Sequence, residues 1–141
     1  MLVEGTIVIM DLDRFGDMVR EKGWSEYSPN PVTGALTRLV EEFVSKWSAL
    51  VLYGLDPKRG TEEVVLEVPG VSPEELEDDL RRILEEMKRL GACISIVAVK
   101  AHVGLPASNR REAYTGTPGR RLAARLLRKV KRAGGCRLVV A

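Results

Sequence analysis

Apolar and polar positions along the chain follow two periods, and the switches between them mark its elements. Residues 5–12 hold a continuous apolar or β-branched run (Thr6, Ile7, Val8, Ile9, Met10), which reads as a buried strand. Gly23, Pro29, Pro31 and Gly34 punctuate an irregular stretch over 17–34. Thr33 has the chemistry of an N-cap, and Leu36, Leu39, Val40, Phe43, Val44 and Trp47 then recur at helical spacing. Residues 48–54 (SALVLYG) and 62–68 (EEVVLEV) predict two strands joined as a hairpin across the Asp-Pro-Lys-Arg-Gly turn. Ser72, followed by Pro73 and by Glu75 three residues on, opens a helix with a capping box. Its apolar stripe is Leu76, Leu80, Ile83, Leu84, Met87 and Leu90, and Gly91 ends it. A fourth strand covers 92–101 and a loop covers 102–117. Leu122, Leu126, Leu127 and Val130 mark a last helix, stopped by Gly134-Gly135, and 136–140 (CRLVV) is the closing strand.

The order is therefore β-α-β-β-α-β-α-β. Its first six elements match the split βαβ, or ferredoxin-like, plan, an antiparallel sheet with helices on one face. The expectation is a single α+β sandwich spanning 1–141, a βαββαβ core with an added C-terminal helix and strand. In that plan the first and third strands are neighbours, so the tip of the first lies beside the hairpin loop.

Composition narrows the class. A chain of 141 residues with 45% apolar and 30% charged residues can build a globular core. No apolar run reaches the roughly 18–20 residues of a membrane span, and no export leader is legible. The two cysteines, Cys93 and Cys136, lack metal-ligand spacing and read as separate reduced thiols in strands, which points to the cytoplasm. There is no glutamine, asparagine occurs only at positions 30 and 109, and the charged residues are mostly Glu and Arg, a bias found in proteins of hot organisms. Charge is uneven: residues 110–141 contain ten basic residues and one acid, hence +9, which leaves −7 on the rest of a chain of net charge +2. An anionic partner near the C-terminal part is one reading, and pairing of charge across the fold is the other.

The stretch with most chemistry is 7-IVIMDLDRFGDM-18. Side chains of a strand alternate, so Asp11 and Asp13 project the same way. Two like charges held together repel and lose solvation, and a hard cation such as magnesium between them relieves both costs. The plain alternative is a strand that ends at Met10 with both carboxylates in water. The hairpin adds Asp56, Glu62 and Glu63 to the same edge, and the last helix adds Arg128, Lys131 and Arg132. Carboxylates, a metal and cations together describe a site for a nucleoside triphosphate.

With these residues in place the chain resembles the palm-type nucleotidyl cyclase superfamily, GGDEF domains in particular. DLDRF at 11–15 resembles that family's first strand end, GTEEVVLEVPGVSPEEL at 60–76 its GGDEF hairpin and the segment after it, and AARLLRKVKRAGGCRLVV at 123–140 its closing helix and strand. The resemblance implies a magnesium or manganese ion held by Asp11 with the Leu12 carbonyl and by Glu62, with Asp13 and Glu63 as supporting acids. It also implies a phosphate contact from Lys131, joined by Arg128, a nucleotide passing Gly60 and Thr61, and Phe15 packed beneath. Gly60-Thr61 stands where the family has its glycine pair, Val64 where it has an aromatic, and the 54–60 loop is longer.

A second resemblance is to archaeal GTP cyclohydrolase III, through LDRFG at 12–16, SPNP at 28–31 and LVLYG at 50–54. It would put the leading carboxylate on Asp13 and the hairpin acid at Asp56. Either resemblance implies a purine nucleoside triphosphate as ligand and a homodimer as a plausible assembly. The activity would be GTP hydrolysis or nucleotidyl cyclisation, unless the domain is a catalytically inactive palm used for sensing or assembly. A ferredoxin-like nucleic-acid module is the competing class, but the first and third strands carry no aromatic for a base to stack on, and an acidic tip repels phosphate. His102, the one histidine, and the aromatics Trp24, Tyr27 and Tyr53 are secondary candidates, for proton transfer and for stacking on a base respectively.

Overall fold

The apolar run near the start forms the middle of β1 (Val3–Leu12), where Ile7–Met10 are continuous because both faces of the strand are covered there. Val8, Met10 and Leu12 point into one core, Ile7 and Ile9 into another. The computed structural model describes residues 2–25 and 27–141. The remaining elements are α1 (Phe15–Lys22), α2 (Pro31–Trp47), β2 (Leu50–Tyr53), β3 (Glu63–Pro69), α3 (Pro73–Arg89), β4 (Ile94–Val103), α4 (Arg110–Thr115), α5 (Pro118–Arg132) and β5 (Leu138–Val140).

The strands make one sheet in the order β2-β3-β1-β4-β5. β1 lies at its centre, antiparallel to β3 from Gly5↔Pro69 to Asp11↔Glu63 and to β4 from Val3↔Val103 to Leu12↔Ile94. β5 is parallel to β4. The βαββαβ order is thus observed, with α2 and α3 on one face over Leu36, Phe43, Leu76, Leu80 and Met87. The added helices α4 and α5 cover the other face, burying Ala113, Ala123, Ala124, Leu127 and Val130 against Ile7, Ile9, Val65, Val97 and Val99. The sheet is therefore the middle of three layers. Among the described residues both faces of the central strands β1, β3 and β4 are covered over most of their length, and this is the surface the nucleic-acid reading needed.

Three local expectations also change. Asn30, not Thr33, caps α2: its side chain accepts from the Val32 and Thr33 backbone N–H groups, while Thr33 Oγ1 accepts from the Asn30 N–H to close the box. The 17–34 stretch contains most of α1, which Gly23 ends in the left-handed region at φ 68°; Glu26 lies outside the described residues. The 102–117 loop contains α4, whose N-cap Asn109 accepts from the Glu112 N–H.

The inward stripe of α5 holds Ala123 and Ala124 besides Leu127 and Val130, and Leu122 of the expected stripe is exposed. A Cβ on Gly119 would stand 2.7 Å from the Ala101 Cβ and 3.0 Å from the Ile7 Cδ1, so only glycine lets the helix come this close to the sheet. Arg120 locks the approach. Its guanidinium is fully buried and donates to both oxygens of the equally buried Glu67 on β3, at 2.9 and 3.3 Å, and to the carbonyls of Leu105 and Glu112. Glu67 Oε1 also accepts from the Gly104 N–H at 2.9 Å, so the pair ties β3, the 104–117 segment and α5 together.

The cysteines are joined, not reduced. Cys93 and Cys136 form a disulfide with Cα atoms 4.7 Å apart. They lead into β4 and β5, neighbouring parallel strands entered from the same end, and the parallel register brings them side by side. The sequence lacked this pairing because nothing local sets the register of β5. The cytoplasmic expectation loses its thiol argument with it. Among the described residues, no helix is long and apolar enough to cross a membrane.

Candidate functional site

The C-terminal end of β1 is where the strand runs out of apolar residues, and period 2 puts Asp11 and Asp13 on its α5 side. The antiparallel registers then set Glu63 of β3 and Ser95 of β4 on either side of Asp11. The last turn of α5 brings Lys131 over them. Its Nζ lies 2.8 Å from Asp13 Oδ1, 3.3 Å from the Leu12 carbonyl and 3.4 Å from Asp11 Oδ2.

The two aspartates have different surroundings. Asp13 is caged: Ser95 Oγ donates to both its oxygens at 2.8 and 3.1 Å, and the Cys136 N–H donates to Oδ2 at 2.8 Å. Its own N–H donates to the Cys93 carbonyl at 2.8 Å, so both disulfide residues hold it. Gly135 closes the cage at φ +66°, and a Cβ there would stand 2.7 Å from Asp13 Oδ2. Asp11 is half-buried and takes only the longer contact with Lys131. Burial pushes its carboxyl up to about 6; Lys131 pulls it down, and Glu63 and Asp13 push it further up.

Glu63 is tied to α4. Tyr114 donates its hydroxyl to Glu63 Oε1 at 2.6 Å, and Arg110 reaches the same oxygen at 3.0 Å while stacking over the Tyr114 ring at 4.6 Å. Burial, and then the bond to Glu63, raise the Tyr114 hydroxyl above the ordinary range, so it stays protonated and donates. A cleft of about 580 Å³ opens over this floor between the sheet end, α4 and α5. Its charged walls are Asp11, Arg110, Arg111, Arg128 and Lys131. A second hollow continues along α4 and α5, past Arg121, Arg125 and Arg128.

Apart from Glu63, which bonds to Tyr114 and Arg110 of its wall, the hairpin residues named from the sequence lie outside the lining of this cleft. Asp56 accepts the Lys58 and Arg59 N–H groups, the capping role its turn explains. Thr61 is buried, and its hydroxyl sits 2.7 Å from that of Thr37 on α2. Gly60 packs on Thr33 at φ +94°, with room for no Cβ. Glu62 is exposed and its carbonyl accepts the Leu12 N–H. Together with Tyr53, Leu55, Arg59 and Glu63, the residues Asp56, Gly60 and Glu62 rim a separate hollow of about 210 Å³ under the hairpin. Phe15 packs against the α2–α3 core, as does Trp24. Tyr27 lies under Arg59. His102 pairs with Glu4, at the far end of β1 from Asp11.

Of the residues singled out from the sequence, the structure gathers Asp11, Leu12, Asp13, Glu63, Arg128 and Lys131. The sequence reasoning passed over Ser95, Arg110, Arg111 and Tyr114. The two arginines belonged to the +9 segment, which was the available signal; Ser95 left none.

A magnesium or manganese ion does not fit the expected ligand set. Such an ion needs oxygens with free lone pairs in octahedral array. Here the point shared by Asp11, Asp13 and the Leu12 carbonyl is filled by the Lys131 ammonium, and both Asp13 oxygens already accept from protein donors. Among the described residues, no three His, Cys, Asp or Glu side chains converge in a way that could hold a metal ion.

No family model matches the chain, and no curated protein matches it. Solved structures do. A microbial GGDEF domain studied for its interaction with cyclic di-GMP superposes with a TM-score of 0.61 at 19% identity, over 99% of this chain and 78% of that one. The GGDEF domain of FimX from Pseudomonas aeruginosa gives 0.61 at 16% identity, over 99% and 81%. A bacterial light-regulated adenylyl cyclase gives 0.56 at 14% identity, over 94% of this chain and 41% of that one. The chain shares the fold of these domains.

Proposed function

We propose that the chain is a nucleotide-binding palm domain that takes the phosphates of a purine nucleotide in the cleft between the tip of β1 and the α4–α5 arm, and that it senses the ligand or assembles around it without turning it over. The observation that carries this is the cleft itself: Arg111 of α4 and Arg128 of α5 line it and are exposed, while Arg110 and Lys131 balance the carboxylates of the floor. Guanidinium groups match phosphate oxygens in pairs, so two arginines lining one cleft suit an oligophosphate. The hollow under the hairpin, one side chain away across Glu63, is the place for the base. Magnesium- or manganese-dependent hydrolysis of GTP, the sharper expectation from the sequence, is not part of the proposal, because the protein's own ammonium fills the metal position.

The test is titration calorimetry with GTP, ATP and UTP on the wild type and on Arg111→Ala/Arg128→Ala. The expected result is binding of a purine nucleotide that weakens at least about tenfold in the double variant, the loss of roughly 1.4 kcal/mol or more. A wild type that binds none of them, or a variant that binds like the wild type, removes the proposal.

A further inference from the structure

We infer that Lys131 is a built-in replacement for a divalent cation: its ammonium is held where two carboxylates and a strand-end carbonyl converge, so the cleft binds its anionic ligand without a divalent metal. Two carboxylates and a carbonyl are a donor set for a hard cation. Nζ makes contact with all three, at 2.8, 3.3 and 3.4 Å. The ammonium donates to the Leu12 carbonyl and Asp13 and is ion-paired with Asp11.

The surroundings fix this choice. Lys131 lies at the C-terminal end of α5, where the helix dipole favours a cation. Its neighbour Val130 is buried in the α5 core, which anchors the stem. Asp13 is fixed facing Lys131, because Ser95 and the Cys136 N–H hold its oxygens and Gly135 presses on the carboxylate from behind. Glu63, the next acid along, already accepts from Tyr114 and Arg110. A divalent ion would have to expel Lys131 to reach these oxygens.

In its ligand this inference rests on the nucleotide reading; in its metal it does not. The experiment therefore titrates manganese alone, followed by its electron paramagnetic resonance signal, into wild type, Asp11→Asn, Lys131→Met and Lys131→Met/Asp11→Asn. Wild type and Asp11→Asn are expected to bind manganese equally weakly. Lys131→Met gains a site at least about tenfold tighter, which the second substitution abolishes. Wild-type binding that Asp11→Asn removes overturns the inference, as does a folded Lys131→Met with no gain. If Lys131→Met does not fold, the wild type and Asp11→Asn still decide it. A parallel titration measures purine nucleotide binding to the wild type in EDTA and in magnesium. Equal affinity supports the inference, and a rise of about tenfold with magnesium overturns it while leaving the nucleotide reading intact. No nucleotide binding in either condition sinks that reading and leaves the manganese result to stand by itself.

Discussion

Arg120 and Lys131 sit about three turns apart on α5, on the same face of the helix, and each meets carboxylates of the sheet. Their settings differ in one respect: how much water reaches them. Arg120 and Glu67 have side chains 1% and 0% exposed, and every polar atom they bring is matched by the other or by a backbone group. Lys131 and Asp11 are 29% and 30% exposed at the rim of a cleft. The first pair is a closed structural tie. The second leaves Asp11 incompletely balanced and open to what enters the cleft. Complete satisfaction of buried charge marks structure, and partial satisfaction at an opening marks a candidate for binding.

The comparison can be broken most forcefully at its closed end. Arg120→Ala strands a buried carboxylate and is expected to cost about 3–5 kcal/mol in urea unfolding, whereas Arg120→Met with Glu67→Leu recovers part of that loss. Purine nucleotide affinity of whichever variant folds should stay near wild type; a large change would mean that the two ends of α5 are not separate in role. Next in size is the disulfide beside Asp13. It closes a loop of 43 residues, so Cys93→Ser/Cys136→Ser is expected to lose about 3–4 kcal/mol by loop entropy, read as a fall in the unfolding midpoint. A double variant as stable as the wild type would remove the disulfide from the frame that holds the Asp13 cage.

Acidity sharpens the open end. Asp11 binds its proton more tightly folded, with a carboxyl at about 6, than unfolded, where 3.8 applies. Its contribution is therefore most favourable below pH 4 and is lost as the pH rises through 6. Asp11→Asn does not titrate, so its stability relative to wild type should improve by about 1–2 kcal/mol between pH 4 and pH 7.5, a shift reduced by the exposure of the side chain. The groups facing Asp11 are Lys131, Glu63, Asp13 and Tyr114. A flat difference across that range would show that Asp11 is not held out of balance. The smallest effect is expected for Tyr114→Phe, about 1 kcal/mol, since Arg110 continues to neutralise Glu63.

Much of the fold was legible because its signals are local. The β1 run, the Ser72–Glu75 box and the α3 stripe depend on near neighbours in sequence, and each formed where its pattern predicted. At Leu122 of α5 hydrophobicity does not mark burial. Here close packing on the sheet selects glycine and alanine instead, and a buried arginine is acceptable only because Glu67 lies opposite it. The short helices α1 and α4 gave too few turns for a periodic signal.

The sequence by itself determined that Asp11 and Asp13 share a face at a strand end, and that the C-terminal part carries an excess of positive charge, because alternation and composition need no knowledge of the rest of the chain. Only the tertiary structure decided what those charges face. It set Ser95, the Cys136 N–H and Lys131 around Asp13, gave Glu63 to Tyr114 and Arg110, and turned Asp56 back onto its own turn. The physical reason is that strand register and helix placement fix the distances between residues far apart in sequence, and those distances determine whether a carboxylate meets a metal, a lysine or water.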